Sequence, residues 1–442
     1  MQKKLAIKLA LIVFLGLLLL VPLGMIESQI SARGKSQQEV LDDIAESSAR
    51  AQVLGAPVIM LRYRERVQEV RRDEEKKHEY TVTEVRERVH PVAAQNFLIK
   101  GGARVESRKR GIYSANLYHL DLQLSGSFEI PPNMGMDTLP DLLEAPKAFL
   151  VMRLSDLRGI VVDPQVTIND KPHRFTSDST LFGGNEVFIA LGSINPEQAW
   201  SYKFEFPLKI MGTQQFSLTP TAQQTQMDLT SDWPHPSFGG RFSPQERQID
   251  PDGKGFAATW QVSHLARNFD EALKGGERMS VDFIEPVNIY LKAERAVKYG
   301  ILFIVLTFSA FFLMEIIRKS PIHPLQYAMV GLAMAIFFLL LIALSEHISF
   351  ELAYLASALG CIGVISVYLI GVLKNQHTGL LFGAGLTVLY GILYGLLLSE
   401  DSALLMGSLL LFAALAAVML LTRHVNWYTI DYGNTDAKEQ ST

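Results

Sequence analysis

Apolar residues in this chain follow two patterns: unbroken runs near both ends and alternating positions in between. The first run, LALIVFLGLLLLVPLGMI, covers residues 9–26 and follows Lys3, Lys4 and Lys8. About 18 to 20 apolar residues are enough to cross the hydrocarbon core of a bilayer. No small-residue cleavage site follows in ESQISARGK. The run therefore favours an uncleaved transmembrane anchor over a signal peptide.

Five further apolar runs follow Lys298, and each reaches spanning length. Very short connections separate them. The runs cover about residues 300–317, 325–344, 352–373, 379–398 and 403–421. With the anchor, they predict six transmembrane helices, one at the N-terminus and five in the last third.

Lys and Arg residues set the predicted orientation, because cytoplasmic connections are enriched in them. The connections at 345–351 and 399–402 contain neither residue type. The opposite ends carry Lys3, Lys4, Lys8, Arg318, Lys319, Lys374, Arg423 and Lys438. Both termini are thus predicted to be cytoplasmic, and residues 27–297 periplasmic in a Gram-negative bacterium.

The segment between the anchor and the helical block reads mostly as strand. LYHLDLQLSGSF places Leu120, Leu122 and Leu124 at every second position, the period of a half-buried strand. YKFEFPL and FAATWQV repeat this pattern. APVIMLRYRERV and EYTVTEVRERV flank the charged RRDEEKK (71–77) and predict a long hairpin with a solvated tip.

One helix is predicted in this segment, at 36–48, where Val40, Leu41 and Ile44 form an apolar stripe. The absence of a strand–helix–strand rhythm favours an antiparallel, sandwich-like arrangement. The predicted fold is an integral membrane α-helical protein with a large periplasmic, mainly-β domain. The predicted domains are an anchor at 1–26, the periplasmic domain at 27–297, a five-helix transmembrane block at 298–424 and a cytoplasmic tail at 425–442.

Composition excludes several classes of function. The 442 residues carry a net charge of only −4, which argues against a nucleic-acid partner. The single cysteine, Cys361, cannot build a disulfide framework or a zinc cluster. None of the common nucleophile, zinc or nucleotide-binding motifs occurs outside the spans. We therefore assign no catalytic residue, cofactor or metal ligand, and expect a protein that is not an enzyme.

The stretch SDWPHPSFGG (231–240) is the most distinctive in the soluble part. Each proline holds the preceding residue extended, so Trp233 and His235 tend towards one side. One interpretation is a structural turn whose aromatic residues fill the core. A second is a rigid partner-binding surface formed by Trp233, His235 and Phe238. A third is a catalytic pair of Asp232 and His235 beside Ser237.

The spans hold few ionisable residues, which are the usual signs of transport or relay chemistry. Glu315 lies near the predicted cytoplasmic end of its span, within reach of Arg318 or Lys319. Glu346 and His347 lie at the opposite interface. These three are the candidate membrane polar residues, and Lys8 is expected to reach back to the cytoplasmic surface.

Several sequence segments, spread over nearly the whole chain, resemble the CreD family of inner-membrane proteins. The segments are GAPVIMLRYRER (55–66), RGIYSANLYHLDLQLSGSFEI (110–130), TSDWPHPSFGGRF (230–242), YGILFIVLTFSAFFLMEI (299–316), HPLQYAMVGLAMAIFFLLLIALSEHISF (323–350), EDSALLMGSLLLF (400–412) and TRHVNWY (422–428). The resemblance implies the same anchor, periplasmic domain and helical block. It also implies links to colicin tolerance, envelope integrity and envelope stress, but supplies no reaction.

Three hypotheses of function follow, in order of preference. The first is a non-enzymatic envelope protein whose periplasmic domain binds an envelope component or a periplasmic or inner-membrane protein, with membrane lipid around its helices. The second is a transporter or exporter of an envelope metabolite that uses Glu315, Glu346 and His347. The third is a periplasmic hydrolase or transferase.

Overall fold

The structure is a computed structural model that describes residues 2–73, 78–178, 181–182, 184–285, 288–318, 322–399 and 403–423. The chain divides into two compact units, residues 1–38 with 287–442 and residues 39–286. The domain boundaries predicted at 26/27, 297/298 and 424/425 stay predictions, because compactness does not locate the surfaces of a bilayer.

The first unit is helical. Within the described residues, six helical stretches are long and apolar enough to cross a membrane, which confirms the predicted one-plus-five arrangement. The helices are α1 (Gln2–Leu18), α2 (Leu20–Ser47), α4 (Ile289–Arg318), α5 (Pro324–Ser345), α6 (Phe350–Leu373), α7 (Gln376–Leu398) and α8 (Ala403–Thr422), with α3 (Phe269–Leu273) in the other unit.

Two helices are longer than the apolar runs predict. The helix α4 begins at Ile289 rather than near 300. The sequence prediction starts later because the first turns of α4 contain charged residues, which interrupt the apolar run. The helix predicted at 36–48 is the end of α2, which begins at Leu20. Between α1 and α2, Leu19 N donates to Leu15 O, and Leu23 N donates to Leu19 O. Helical hydrogen bonding therefore continues through the junction.

The second unit is mainly β, as predicted. Its strands are β1 (Gln52–Gly55), β2 (Val58–Asp73), β3 (His78–Ala93), β4 (Asn96–Arg110), β5 (Tyr113–Ile130), β6 (Lys147–Arg153), β7 (Gln165–Ile168), β8 (Lys171–Arg174), β9 (Glu186–Ser193), β10 (Trp200–Thr213), β11 (Gln215–Thr219), β12 (Gln224–Ser231), β13 (Ser237–Gly240), β14 (Glu246–Ile249), β15 (Phe256–Ser263) and β16 (Met279–Asp282).

In the described residues, the strands form three sheets around a main hydrophobic core, and a smaller cluster joins Ile44 to Ala115 and Leu117 of β5. The strand orders of the sheets are β1-β11-β16-β13, β14-β15-β12-β4-β5-β10-β7-β8 and β3-β2-β6-β9. The alternating residues Leu120, Leu122 and Leu124 are buried in β5, and Trp260 is fully buried in β15. The strands β5, β10 and β15 therefore turn their alternating apolar positions into the core, whereas Val85 and Val89 of the hairpin strand β3 are exposed.

The predicted antiparallel arrangement holds for most strand pairs, with two exceptions. The pairs β1–β11 and β4–β12 are parallel. Long stretches of chain separate the partners, so the strands can enter their sheets in the same direction without a tight turn. The long hairpin is confirmed, with β2 and β3 paired from Val58 and Ala93 to Asp73 and His78.

Some predicted features lie outside the described residues. They are the hairpin tip at 74–77, Lys319, residues 400–402 of the connection at 399–402, and the tail at 425–442.

Candidate functional site

The turn before β13 is held by its own aromatic residue. The Trp233 indole N–H donates to His235 O at 2.9 Å, and Trp233 N donates to Ser231 Oγ at 3.1 Å. The His235 ring meets the Trp233 ring edge-on, with centroids 6.4 Å apart. The imidazole is nevertheless exposed to solvent.

Phe238 fixes the strand itself to the core. Its half-buried ring packs edge-on against Phe256 and Trp260, with centroid distances of 5.5 and 5.6 Å. Trp233 also packs against the same core. The aromatic residues of this stretch therefore have the structural role that the first interpretation expects.

The described contacts of Asp232 do not support the catalytic interpretation. Asp232 Oδ1 accepts a hydrogen bond from Val105 N at 3.0 Å. Among the described hydrogen bonds, none joins the side chains of Asp232, His235 and Ser237 to one another. The part of the chain that the structure describes also contains no cluster of three or more His, Cys, Asp or Glu residues that could hold a metal ion.

Among the described strands, β13 is an edge of its sheet. Its one partner among them is β16, with Phe238 opposite Val281 and Gly239 opposite Ser280. Arg241 N donates to Arg278 O just beyond the ladder. Hydrogen-bonded pairs alternate along an antiparallel ladder, so Gly239 bonds to β16 while the backbone groups of Phe238 point outwards. Such an edge is a template for another strand.

A groove with mixed chemistry adjoins this edge. Ile249 and Ile284 are about half exposed there, at 47% and 48%. The carboxylates of Asp282 and Glu285 make the groove acidic. Its full lining is Pro234, His235, Pro236, Ser237, Ile249, Asp282, Ile284 and Glu285. The sequence predicts the turn but not this groove, because half of its lining comes from β14, from the end of β16 and from the residues after β16.

In the helical unit, Glu315 is completely buried and fully engaged. Its carboxylate forms an ion pair with Lys8 and accepts hydrogen bonds from Ile322 N at 3.2 Å and Tyr327 Oη at 3.0 Å. The Lys8 ammonium also donates to Ile322 O at 2.8 Å. The charge is thus compensated from α1, α5 and the connection before α5.

The pairing of Lys8 with Glu315 was predicted for neither residue. That Lys8 reaches the cytoplasmic surface stays a prediction. The predicted partners of Glu315 were Arg318 and Lys319, whose side chains lie outside the described residues. The sequence alone does not indicate this pairing, because Lys8 precedes the first apolar run together with Lys3 and Lys4.

Glu346 belongs to a second network at the other end of the helices. Its carboxylate lies 3.6 Å from Arg33 Nε and accepts a hydrogen bond from Tyr290 Oη at 3.3 Å. His347 is exposed at the end of α5 and contributes only its backbone, with its N–H donating to Leu344 O. The structure therefore does not bring His347 into the network.

The two networks join the N-terminal helix to the block at both ends. Lys8 and Arg33 are 25 residues apart in sequence, about 37 Å along a helix, against about 30 Å for the hydrocarbon core. Between them, Leu23 lies against Gly300, and a Cβ atom at Gly331 would overlap Leu19. The anchor is therefore a packed member of the bundle.

Among the described histidines outside the spans, His90 has a shifted pKa. Burial lowers the pKa of its imidazole below the ordinary value of 6.5, and the hydrogen bond with the Met134 backbone opposes this only partly. Its place in the hairpin strand β3, away from the β13 edge, gives it no role in the candidate site.

Comparison with known proteins adds one consistent result. A family model described as inner membrane protein CreD matches residues 4–428. The inner membrane protein CreD of Escherichia coli (strain K12) is 35% identical to this chain, with the alignment covering 96% of this chain and 94% of that protein.

Proposed function

The chain belongs to the CreD family of inner membrane proteins, and from this premise we propose that it supports envelope integrity by binding a partner with its β domain. It is a multi-pass inner membrane protein. The proposal adds that both termini are cytoplasmic and that residues 27–297 face the periplasm. The distribution of Lys and Arg supports this orientation.

The observation that carries the binding proposal is the open edge of β13. An extended segment of a partner protein can add to this edge through main-chain hydrogen bonds, while an adjoining groove selects its side chains. The half-exposed Ile249 and Ile284 suit apolar side chains, and Asp282 and Glu285 suit basic ones. The proposed partner is a protein with an exposed, extended, apolar and basic segment.

A non-catalytic role agrees with the same site. Asp232 is engaged by the backbone of Val105, and the Trp233 ring is engaged by the turn. In the membrane unit, the Glu315 carboxylate is held by three donors from different parts of the bundle. These arrangements stabilise structure, which supports an envelope role ahead of the transport and hydrolase alternatives.

Photo-crosslinking in cells tests this proposal. A photoreactive amino acid at Ser237 or Ile249, both exposed beside the edge, is expected to give one discrete adduct with a partner protein. The matched control is the same probe at Leu265, which is 86% exposed in the same unit.

Blocking variants make the result specific. Ile284→Lys places a cation in the groove and is expected to abolish the adduct, whereas Val161→Lys, at an equally exposed position outside the lining, is expected to retain it. Adducts of equal yield at Leu265, or an adduct that survives Ile284→Lys, would refute binding at this edge.

A further inference from the structure

A large apolar groove opens between three membrane helices. Its volume is about 710 Å³, which falls within the roughly 300–1,000 Å³ of small-ligand sites. The lining is mostly apolar and includes Leu313, Leu381, Gly385 and Ala414 from α4, α7 and α8. We call it the α4–α7–α8 groove. We propose that it binds one anionic phospholipid, with an acyl chain along the groove.

Contacts between aromatic rings of α4 and α7 show which residues of the two helices lie at the same level. Phe311 lies level with Phe382, with centroids 5.5 Å apart, and Phe303 lies level with Tyr390 at 6.3 Å. The helices α4 and α7 are therefore antiparallel, with Glu315 level with Thr378. One end of the groove thus lies at the level of the charged Lys8–Glu315 network, where the ester region of a lipid would also lie.

Thr378 provides the polar contact at this end. The residue is only 4% exposed, it lines the groove, and its hydroxyl has no hydrogen-bond partner among the described residues. A buried hydroxyl without a partner is costly in an apolar environment. A threonine inside a helix can donate its hydroxyl to the carbonyl four residues earlier. For Thr378, in the first turn of α7, that carbonyl belongs to Lys374, which precedes the helix. An ester carbonyl of a bound lipid would satisfy the hydroxyl.

Thr307 is a useful contrast. It also lines the groove with an unpartnered hydroxyl, about 12 Å deeper by helical rise. In the middle of α4, however, a threonine hydroxyl can turn to the carbonyl four residues earlier. Thr307 therefore does not require a ligand, and only Thr378 marks the position of a lipid oxygen.

Charge at the same end selects the head group. Lys374 is exposed and lies four residues before Thr378, on the predicted cytoplasmic side. The first turn of α7 adds the positive end of a helix of 23 residues. A phosphate group carrying negative charge suits this end, as in basic lipid sites between transmembrane helices.

The test uses the full-length protein in nanodiscs of neutral phosphatidylcholine doped with a phosphatidylglycerol that carries a diazirine in its acyl chain. Mass spectrometry maps the labelled residues after irradiation. We expect labelling at the lining residues, and about fivefold less in Thr378→Val, as for the loss of one neutral hydrogen bond. Thr307→Val is expected to label like the unaltered protein.

Groove-filling variants separate a site from ordinary boundary lipid. A side chain at Gly385, which lines the groove, or at Gly363 on α6 meets nothing within 4 Å of its Cβ. Gly385→Phe is expected to abolish labelling at the lining, and Gly363→Phe to leave it intact. Equal labelling in both variants would overturn the proposal, and so would equal labelling by a phosphatidylcholine carrying the same diazirine chain.

Discussion

Replacing Lys8 with methionine is expected to destabilise the helical unit by about 3 kcal/mol, because removal of one partner leaves a buried charge uncompensated. Glu315 is fully buried, while the Lys8 side chain retains 17% exposure. The variant should therefore release the N-terminal helix from α4 and α5. The midpoint of urea unfolding of the variant in detergent measures the lost stability. Unfolding is monitored by protease cleavage near residues 19–30.

Two comparisons make this result diagnostic. The double variant Lys8→Met with Glu315→Gln removes both charges and is expected to recover most of the lost stability. Lys298→Met breaks an exposed pair with Glu294 on the same helix and should change the midpoint little. A Lys8→Met protein as stable as the Lys298→Met protein would show that the buried pair does not hold the anchor.

Replacing Trp260 with alanine is expected to destabilise the β unit by about 3–5 kcal/mol through the cavity that it leaves. Trp260 is fully buried, and Phe238 of β13 packs against its ring. The edge strand should therefore loosen first. Hydrogen exchange of the full-length protein in detergent measures this as lost protection in β13 and β15.

Trp260→Phe is the matched control. The indole N–H of Trp260 has no hydrogen-bond partner among the described residues, so phenylalanine removes an unsatisfied donor together with part of the ring. The two effects oppose each other, and the net change should stay within about 1.5 kcal/mol. Equal loss of protection in the alanine and phenylalanine variants would contradict the packing described for β13.

Elements set by local pattern could be predicted from the sequence. The alternation of Leu120, Leu122 and Leu124 specifies which face of β5 is buried, since side chains alternate across a strand. The apolar runs specify the membrane helices in the same way, because length and hydropathy decide whether a segment can cross.

Features that depend on distant partners could not be predicted. Lys8 and Glu315 are 307 residues apart, and nothing local to either residue identifies the other. The edge position of β13 is equally non-local, because it depends on β16 and on the absence of an outer neighbour among the described strands. The turn at Trp233 was recognised as rigid, but its relation to an open edge appears only in the folded sheet.

The contacts at both ends of the N-terminal helix bear on the stability of the helical unit. The N-terminal helix contacts the bundle through Lys8, Leu19 and Arg33. Substitutions along this helix should therefore alter the stability of the whole helical unit as well as membrane insertion.

Cysteine labelling in cells tests directly whether the β unit lies in the periplasm. Cys361 is the only native cysteine, so Cys361→Ser gives a background for single probes at Leu265 and Gln376, both exposed. With a membrane-impermeant maleimide and a permeabilised outer membrane, we expect labelling of Leu265→Cys in intact cells and of Gln376→Cys only after lysis. Labelling of Gln376→Cys but not Leu265→Cys in intact cells would place the β unit in the cytoplasm and refute the proposed topology.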